Sequence, residues 1–205
     1  MAQFSFDNSY KKEVIQKYLL PALGCCIDFD NNKFTEIVSK CKLQYVVKFQ
    51  LLETPGPRDE GHLWFSLNTM AHSYFYNREK NGRSGTRIWN KRDFIFDDAS
   101  LLAGRDRSDY LEVLEGSEIL SISYADLDAL MGKYEDIDAG IKKLSVVHTS
   151  YFQRRSSLMH KTPLERVKQF RHENSTFLHC SSQEIQAIHV NLSRRAFINQ
   201  LNKLK

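Results

Sequence analysis

The side chains best suited to ligand recognition lie near the C-terminal end, in the stretch "SSQEIQAIHVNLSRRAFINQLNKL" at residues 181–204. Arginine can hydrogen-bond the O6 and N7 atoms of guanine together, and asparagine can read adenine in the same way. Serine hydroxyls and glutamine amides at the start of a helix can donate to phosphate oxygens. Six residues combine these properties and form a candidate nucleic-acid-contacting set: Ser182, Gln183, Ser193, Arg194, Arg195 and Asn199.

Two short helices separated by a tight break at "VNLS" would hold this set in place. Ser181 and Glu184 have the spacing of a capping box, which predicts that the first helix begins at about Ser182. Ser193 is suited to cap the second helix. Asn191 occupies the turn position at which helix-turn-helix units usually carry a left-handed glycine, and asparagine tolerates that conformation best among the other residues. The pattern predicts a helix-turn-helix, although a helical hairpin with a polar face fits it too.

The charge distribution favours a polyanionic partner for this end of the chain. Residues 151–205 contain ten lysines and arginines against three glutamates, a net of +7 in a chain whose overall net charge is +4. Residues 1–150 therefore carry a net of −3. A mildly acidic body followed by a basic tail is the asymmetry expected of a nucleic-acid binder, whereas a solvated basic face is the plainer alternative.

The composition is that of an ordinary globular protein, with 41% apolar and 26% charged residues among 205. No apolar run approaches the ~20 residues that a membrane span needs. The opening "MAQFSFDNSY" lacks the basic start and apolar segment of a signal peptide, so a cytoplasmic location is expected. The four cysteines lack paired spacing, and no metal or cofactor is predicted.

The N-terminal two thirds of the chain reads as two helices followed by strands. Helical spacing covers residues 8–22 and "KFTEIVSKC". Five segments rich in β-branched and aromatic residues then follow without intervening helices, which predicts an antiparallel sandwich or barrel. These segments are "LQYVVKFQLL", "HLWFSLNTMAHSYFY", "TRIWNKRDFIF", "DYLEVLEG" and "EILSIS".

A long helix is predicted from "YADLDALMGKY" to "QRRSSLM". From Ile137 onward, a set of mostly apolar residues recurs at alternating steps of four and three, which is the a/d seam of a short coiled coil. We expect this seam to pair two copies of the chain, although the same stripe could pack on its own barrel. The seam residues are Ile141, Leu144, His148, Tyr151, Arg155 and Leu158.

A new unit begins after this helix. Thr162 is a suitable N-cap, Pro163 fits the first helical position, and Glu165 completes a capping box. We therefore divide the chain into a β domain at residues 1–135, a dimerisation helix at 136–161 and a DNA-binding domain at 162–205.

Enzymatic chemistry finds little support in the sequence. The metal-binding jelly rolls need a clustered H-x-H, but His62 and His72 stand apart and neither has a second histidine two residues away. The G-x-S-x-G, phosphate-loop and Cys–His patterns are also absent. The sequence therefore favours a protein that is not an enzyme.

The order of these parts resembles the Crp/Fnr family of bacterial transcription regulators. The resemblance rests on "FDDASLLAGRDRSDYLEVLEGSEILSISYADLDALMGKY", on "TPLERVKQF" and on "AIHVNLSRRAF", and it covers nearly the whole chain. It implies an α+β fold: an antiparallel β jelly roll with N-terminal helices, a long dimerisation helix and a small helix-turn-helix domain. It further implies a homodimer on double-stranded DNA, with a possible contact to RNA polymerase.

Within this resemblance, Arg194 matches the family's first base-reading arginine, whereas Arg195 replaces an acidic residue and Asn199 replaces an arginine. A different target sequence is therefore expected. The family's β-wing has no counterpart in the sequence up to Lys205. Further contacts to the DNA backbone are then expected from nearby basic residues: Arg154, Arg155, Arg166 and Lys168.

The segment that resembles the family's phosphate-binding cassette departs from it in charge. Arg107 and Ser108 match, but Asp97 replaces glycine, Asp98 replaces glutamate and Asp109 adds a third carboxylate. These acids should repel a phosphate and neutralise Arg107, so we expect a degenerate pocket that does not bind cyclic AMP. Its residues are Asp97, Asp98, Ala99, Ser100, Arg107 and Ser108.

Three readings follow from the sequence. The first is a dimeric DNA-binding regulator with a silent pocket and an unknown effector. The second is a regulator that still binds a cyclic nucleotide or other small ligand through Arg107. The third is a jelly-roll interaction protein that does not bind DNA.

Overall fold

The computed structural model describes residues 8–25, 31–79 and 81–204. The first seven residues, which entered the signal-peptide argument, and Cys26 lie outside the described residues. Ten α-helices and eight β-strands are assigned within these ranges. They form an antiparallel β-roll with helices at its N-terminal side, a long helix and a compact helical unit, so the predicted α+β fold is confirmed.

The N-terminal helices pack against one end of the β-roll. Val14 and Ile15 are fully buried beneath the first helical run, and Ile37 and Val38 are buried on the inner side of the next helix. The helical spacing in the sequence therefore identified both elements. Their bounds are α1 Asn8–Val14, a π-helical turn Ile15–Leu19, α2 Leu20–Leu23 and α3 Asn31–Lys40.

Two four-stranded antiparallel sheets form the jelly roll, with strand orders β1-β8-β3-β6 and β2-β7-β4-β5. Buried side chains from both sheets, among them Trp64, Val113 and Ile119, fill the space between them. The strands are β1 Lys42–Val46, β2 Leu51–Glu53, β3 His62–Ser66, β4 Ala71–Asn77, β5 Gly82–Trp89, β6 Phe94–Ile95, β7 Tyr110–Val113 and β8 Ser117–Ser123.

Three of the strand segments read from the sequence are each two strands in the structure. The first is divided by a turn in which Phe49 has a positive φ of 62°, and the third by a turn in which Arg92 has a φ of 66°. Neither turn carries a glycine or proline that would mark it in the sequence. The Asn81-Gly82 turn was expected, and Asn81 does adopt a positive φ of 46° there.

A short helix follows β6 that the strand pattern did not predict. This helix, α4, covers Asp98–Ala103, and the Asp97 side chain caps it by accepting hydrogen bonds from the N–H groups of Ala99 and Ser100. It ends at Gly104, whose left-handed backbone terminates the helix.

The long helical segment is two helices that meet at Tyr134. Helix α5 covers Tyr124–Lys133, and α6 covers Glu135–Met159. The seam of α6 faces one side, as its spacing predicts, but that side is turned toward the chain's own β-roll. Ile141, His148 and Leu158 are buried there.

The C-terminal unit has its own apolar core. Val167, Phe170, Phe177 and Phe197 are almost completely buried together, and the side chains of Met70, Ile88 and Leu114 from the β-roll belong to the same cluster. The helical unit is therefore docked on the β-roll. Its helices are α7 Pro163–Glu173, α8 Ser175–Cys180, α9 Gln183–His189 and α10 Arg194–Lys203.

Candidate nucleic-acid interface and ligand cavity

Helices α9 and α10 form a helix-turn-helix with the left-handed turn that the sequence predicts. Asn191 has a φ of 57° and is the one described residue between the two helices with a positive φ. The Leu192 N–H returns to donate to the Ala187 carbonyl at 3.0 Å, and Ala187 itself is buried between the helices. A small side chain at this position permits the two backbones to lie close together.

The capping of the two helices differs partly from the prediction. Ser193 caps α10 by accepting a hydrogen bond from the Ala196 N–H at 3.2 Å, as expected. The prediction of a capping box formed by Ser181 and Glu184 is wrong. Ser182 caps α9 instead, by accepting a hydrogen bond from the Ile185 N–H. Ser181 donates instead to the Phe177 carbonyl, since it ends α8 rather than starting α9.

The candidate nucleic-acid-contacting residues are all exposed. Arg194, Arg195 and Asn199 are exposed on α10, and Ser182 and Gln183 are exposed at the start of α9. Ser193 is also exposed, although its hydroxyl is engaged in the helix cap. The arrangement leaves two arginines and an amide at the first turns of α10, where a major groove can accept them.

Docking of α9 on β5 fixes the orientation of this surface. The His189 ring lies against Gly85, where an added Cβ would stand 2.6 Å from the imidazole Nδ1. His189 Nε2 and His72 Nδ1 are 3.3 Å apart, and both side chains are buried. At the rim, Arg83 and Glu184 form an ion pair of 2.9 Å. The contact is therefore close-packed at its centre and ionic at its edge.

Arg155 joins the long helix to both partners of this contact. Its guanidinium donates to the His189 carbonyl at 2.7 Å and to the Gly85 carbonyl. Burial lowers the pKa of Arg155 from its ordinary value. The sequence placed Arg155 on an intermolecular seam and among the backbone-contacting residues. The structure instead uses it to clasp the helical unit to the β-roll.

Arg166 was also expected to contact DNA, and it too is engaged within the chain. Its Nη1 donates to the Val190 carbonyl at 2.8 Å, which stabilises the turn of the helix-turn-helix. Arg154 and Lys168 are exposed. Of the four basic residues expected near the duplex, these two keep accessible charges.

The cassette segment borders a cavity of about 350 Å³ between the β-roll and α6. Of the six predicted pocket residues, Asp97, Asp98, Ala99, Arg107 and Ser108 line it, whereas Ser100 is buried behind the surface of α4. Side chains from β5 and α6 complete the wall, and these were not predicted: Thr86, Arg87, Trp89, Thr149 and Phe152.

Arg107 forms ion pairs, but with acids other than the cassette carboxylates that the sequence led us to expect. Its Nη1 lies 3.4 Å from Glu53, and its Nη2 lies 3.4 Å from Glu60. Its Nε donates to the Pro57 carbonyl at 3.2 Å. The expected partners from the cassette make no ion pair with it among the described residues. The guanidinium is therefore held at the β2 end of the roll.

Each of the three cassette carboxylates has a different hydrogen-bond partner. Asp97 occupies the N-terminus of α4, where its carboxylate accepts the N–H groups that a bound anion would need. Asp98 lies 2.6 Å from Nδ1 of His148 on α6. Asp109 accepts from the Thr86 hydroxyl at 2.5 Å, and burial raises the pKa of its carboxyl group.

Comparisons with known proteins identify the fold. No protein-family model and no curated protein sequence matches the chain. A transcriptional regulator assigned to the Crp/Fnr family from Eubacterium rectale superposes with a TM-score of 0.73 at 16% identity, covering 86% of this chain and 84% of that one. FixK2 from Bradyrhizobium japonicum gives a TM-score of 0.68 at 13% identity, covering 80% and 84%.

A third similar structure is CLP from Xanthomonas campestris, described as a c-di-GMP responsive global regulator. It has a TM-score of 0.67 and 18% identity and covers 85% of this chain and 91% of that one. The chain has the fold of the Crp/Fnr regulators, as the sequence resemblance predicted. In the described residues, no helix is both long and apolar enough to cross a membrane.

Proposed function

We propose that this protein is a sequence-specific DNA-binding transcription regulator of the Crp/Fnr type. The observation that carries the proposal is the exposed arginine pair at the start of α10, which follows a left-handed turn at Asn191. The net charge of +7 over residues 151–205 supports it. Regulators of known structure with the same fold cover 80–86% of the chain, and a basic, accessible helix start has a clearer purpose in a DNA-binding protein than in a hairpin that binds none.

The proposal is tested by selecting binding sites from a random duplex pool at one fixed salt concentration, because phosphate contacts make affinity depend strongly on salt. We expect an inverted repeat with half-sites about one helical turn apart. Arg194→Ala should weaken the selected site by about 1–3 kcal/mol and relax one base position. Recovery of no sequence would favour the reading as an interaction protein.

We propose that the active form is a homodimer, with α6 contributing the contact. Of the seam expected from the sequence, Ile141, His148 and Leu158 are buried against the same chain and the other three residues are half-buried, so we infer that a partner meets the exposed side of α6. Val146 is 66% exposed and Val147 52%, two adjacent large apolar side chains on that side. Val146→Lys should convert a dimer to a monomer in light scattering and reduce affinity for the inverted repeat. A contact with RNA polymerase stays a prediction.

The cavity supports a regulator that does not respond to cyclic AMP. Arg107 is paired with two glutamates, and the start of α4 is capped by a carboxylate. Selection with and without cyclic AMP should therefore recover the same sites at the same affinity. Recovery only with the nucleotide would instead establish the alternative, a regulator that responds through Arg107.

A further inference from the structure

The tip of the hairpin formed by β4 and β5 is basic, although the body that carries it is acidic. This tip, residues 77–83, contains Arg78, Lys80 and Arg83 against Glu79, a net charge of +2. The remaining part of residues 1–150 has a net charge of −5. Arg78 is exposed, whereas Lys80 lies outside the described residues. A polyanion is therefore attracted to this tip and repelled by the rest of the body.

Helix α9 lies along this hairpin with its first residues toward the tip. His189, at the end of α9, lies 3.3 Å from His72, near the start of β4. Glu184, near the start of α9, forms its ion pair of 2.9 Å with Arg83, which lies opposite Tyr76 near the end of β4. Together the two contacts fix the direction of the helix on the strands.

The hairpin tip therefore lies next to two of the candidate DNA contacts. Ser182 and Gln183 directly precede Glu184, and both are exposed. Consecutive Cα atoms are about 3.8 Å apart, so both residues lie within about 8 Å of the residue that Arg83 holds. One DNA strand carries a phosphate about every 3.4 Å along the helix axis, so a backbone that passes Gln183 brings further phosphates to the hairpin.

The face of the hairpin beside α9 ends in groups that can bind phosphate. The rings of His72, Tyr74 and Tyr76 follow one another on this face, with centres 5.4 and 6.3 Å apart. Tyr74 is buried, whereas Tyr76 is 61% exposed and has the Tyr110 ring 5.6 Å away to hold it in place. Tyrosine hydroxyls and arginines both donate to phosphate oxygens. The exposed end of the face therefore offers two such donors, Tyr76 and Arg78.

We propose that the tip of the β4–β5 hairpin is a second DNA-contacting surface, which binds the phosphate backbone beside α9 through Arg78 and Tyr76. The inference rests on the proposed function, because it extends the same interface. The ion pair of Arg83 with Glu184 couples the tip to the helix-turn-helix, so both meet the duplex together. It also offsets the one acid of α9, which would otherwise repel phosphate. Contacts of this kind add affinity without a base preference.

Equilibrium binding of the full chain to the selected site and to an unrelated duplex, at several salt concentrations, tests the proposal. Arg78→Gln should weaken binding to both duplexes by the same factor, about eightfold at 0.1 M salt, and reduce the slope of log affinity against log salt by about 0.9. Lys12→Gln removes the same charge from an exposed position on α1 and should change neither quantity.

Two further variants test the tip without removing Arg78. Glu79→Gln removes the exposed acid of the tip and should strengthen binding to both duplexes. Tyr76→Phe removes only a hydroxyl and should weaken both by a smaller factor than Arg78→Gln. Unchanged affinity and salt slope in Arg78→Gln, with the loss in Arg194→Ala intact, would overturn this proposal alone and assign the aromatic face to a protein partner. Selection of no site by the unmodified protein would overturn both proposals.

Duplexes in which single phosphates are replaced by neutral methylphosphonates locate the contact. At least one replacement should weaken binding of the unmodified protein several-fold and leave Arg78→Gln unaffected, because the two changes remove the same interaction. If every replacement weakens both proteins equally, Arg78 contacts no phosphate and the proposal is wrong.

Discussion

At the scale of single residues, Arg107 shows how a buried cation is balanced by carboxylates of the same chain. Arg107 matches the family position, yet its side chain is 5% exposed and lies between Glu53, 9% exposed, and Glu60, 71% exposed. Glu53 also accepts hydrogen bonds from the His62 N–H and the Trp64 indole. The guanidinium is therefore held by the protein's own carboxylates and is part of the packed structure.

This arrangement predicts a loss of stability on Arg107→Gln. The change leaves the buried Glu53 without its cation, so the free energy of unfolding should fall by about 3 kcal/mol or more. Urea unfolding monitored by tryptophan fluorescence measures it. Glu60→Gln removes the exposed partner and should cost less than about 1 kcal/mol. Equal effects of the two changes would mean that the ion pair with Glu53 is not a structural contact.

The residues of the cassette could be predicted from the sequence, but their partners could not. The motif order pointed to Arg107, and the three extra acids pointed to a neutralised guanidinium. Local spacing carries no information on which acid is nearest, because Glu53 and Glu60 reach it only when β2 folds beside β7. The sequence also gave no indication that Arg87 lines the cavity. An arginine in a strand usually faces solvent, and Arg87 is buried only because α6 packs over it.

At the scale of elements, the turn between α9 and α10 depends on one unusual backbone conformation. Asn191 has a φ of 57°, which most L-residues adopt only with strain. Asn191→Val should therefore lower the free energy of unfolding by about 1–2 kcal/mol, because a β-branched side chain disfavours this conformation most. Chemical denaturation with circular dichroism detects the change.

Asn191→Gly is the matched control for that experiment. Glycine keeps the backbone conformation at no steric cost, so it should retain most of the stability and should also retain DNA binding. A loss as large as that of Asn191→Val would show that the asparagine side chain, rather than the conformation, stabilises the turn.

The contact between β5 and α9 gives a second prediction at this scale. Gly85→Ala places a methyl group 2.6 Å from the His189 ring, which is too close for van der Waals contact. We expect α9 to move off β5 and its amides to exchange hydrogen faster with solvent. Gly132→Ala, in α5, has open space around the added Cβ and should leave the exchange pattern unchanged.

The periodicity of the sequence predicted which segments are helices and which are strands. It did not predict where each element ends or what it packs against. The three-and-four spacing of α6 correctly showed one apolar face, but the pattern cannot distinguish a partner chain from the chain's own β-roll. The strand segments were divided by turns at Phe49 and Arg92 that lack glycine or proline at the positive-φ position. Helix α4 is one and a half turns long, too short for a periodic signal.

At the scale of the whole molecule, the helix-turn-helix is held to the β-roll through a buried histidine pair. His189 and His72 lie 3.3 Å apart, and Nε2 of His72 is 3.8 Å from Glu112 on β7. Arg155 of α6 is the other charged group against His189. Desolvation by burial, followed by the charges of His72 and Arg155, holds the pKa of His189 well below its ordinary value of 6.5.

The docked arrangement should therefore weaken in acid. A histidine whose pKa is lowered in the docked state takes up its proton on release, so docking is fully stable above pH 6.5 and loses stability as the pH falls below it. The loss is about 1.4 kcal/mol per pH unit until the lowered pKa is reached. Proteolysis at the α6–α7 junction should accelerate between pH 7 and pH 5, and affinity for the selected DNA site should fall as the recognition helices lose their fixed orientation.

Two variants separate this effect from general acid weakening. His189→Gln removes the titrating group and should flatten the pH dependence of proteolysis, even though its docking is weaker throughout. His179→Gln changes an exposed histidine of the same domain and should retain the dependence of the unmodified protein. An acid response that persists in His189→Gln would assign the titration to another group, and the buried pair would then hold the domain by packing alone.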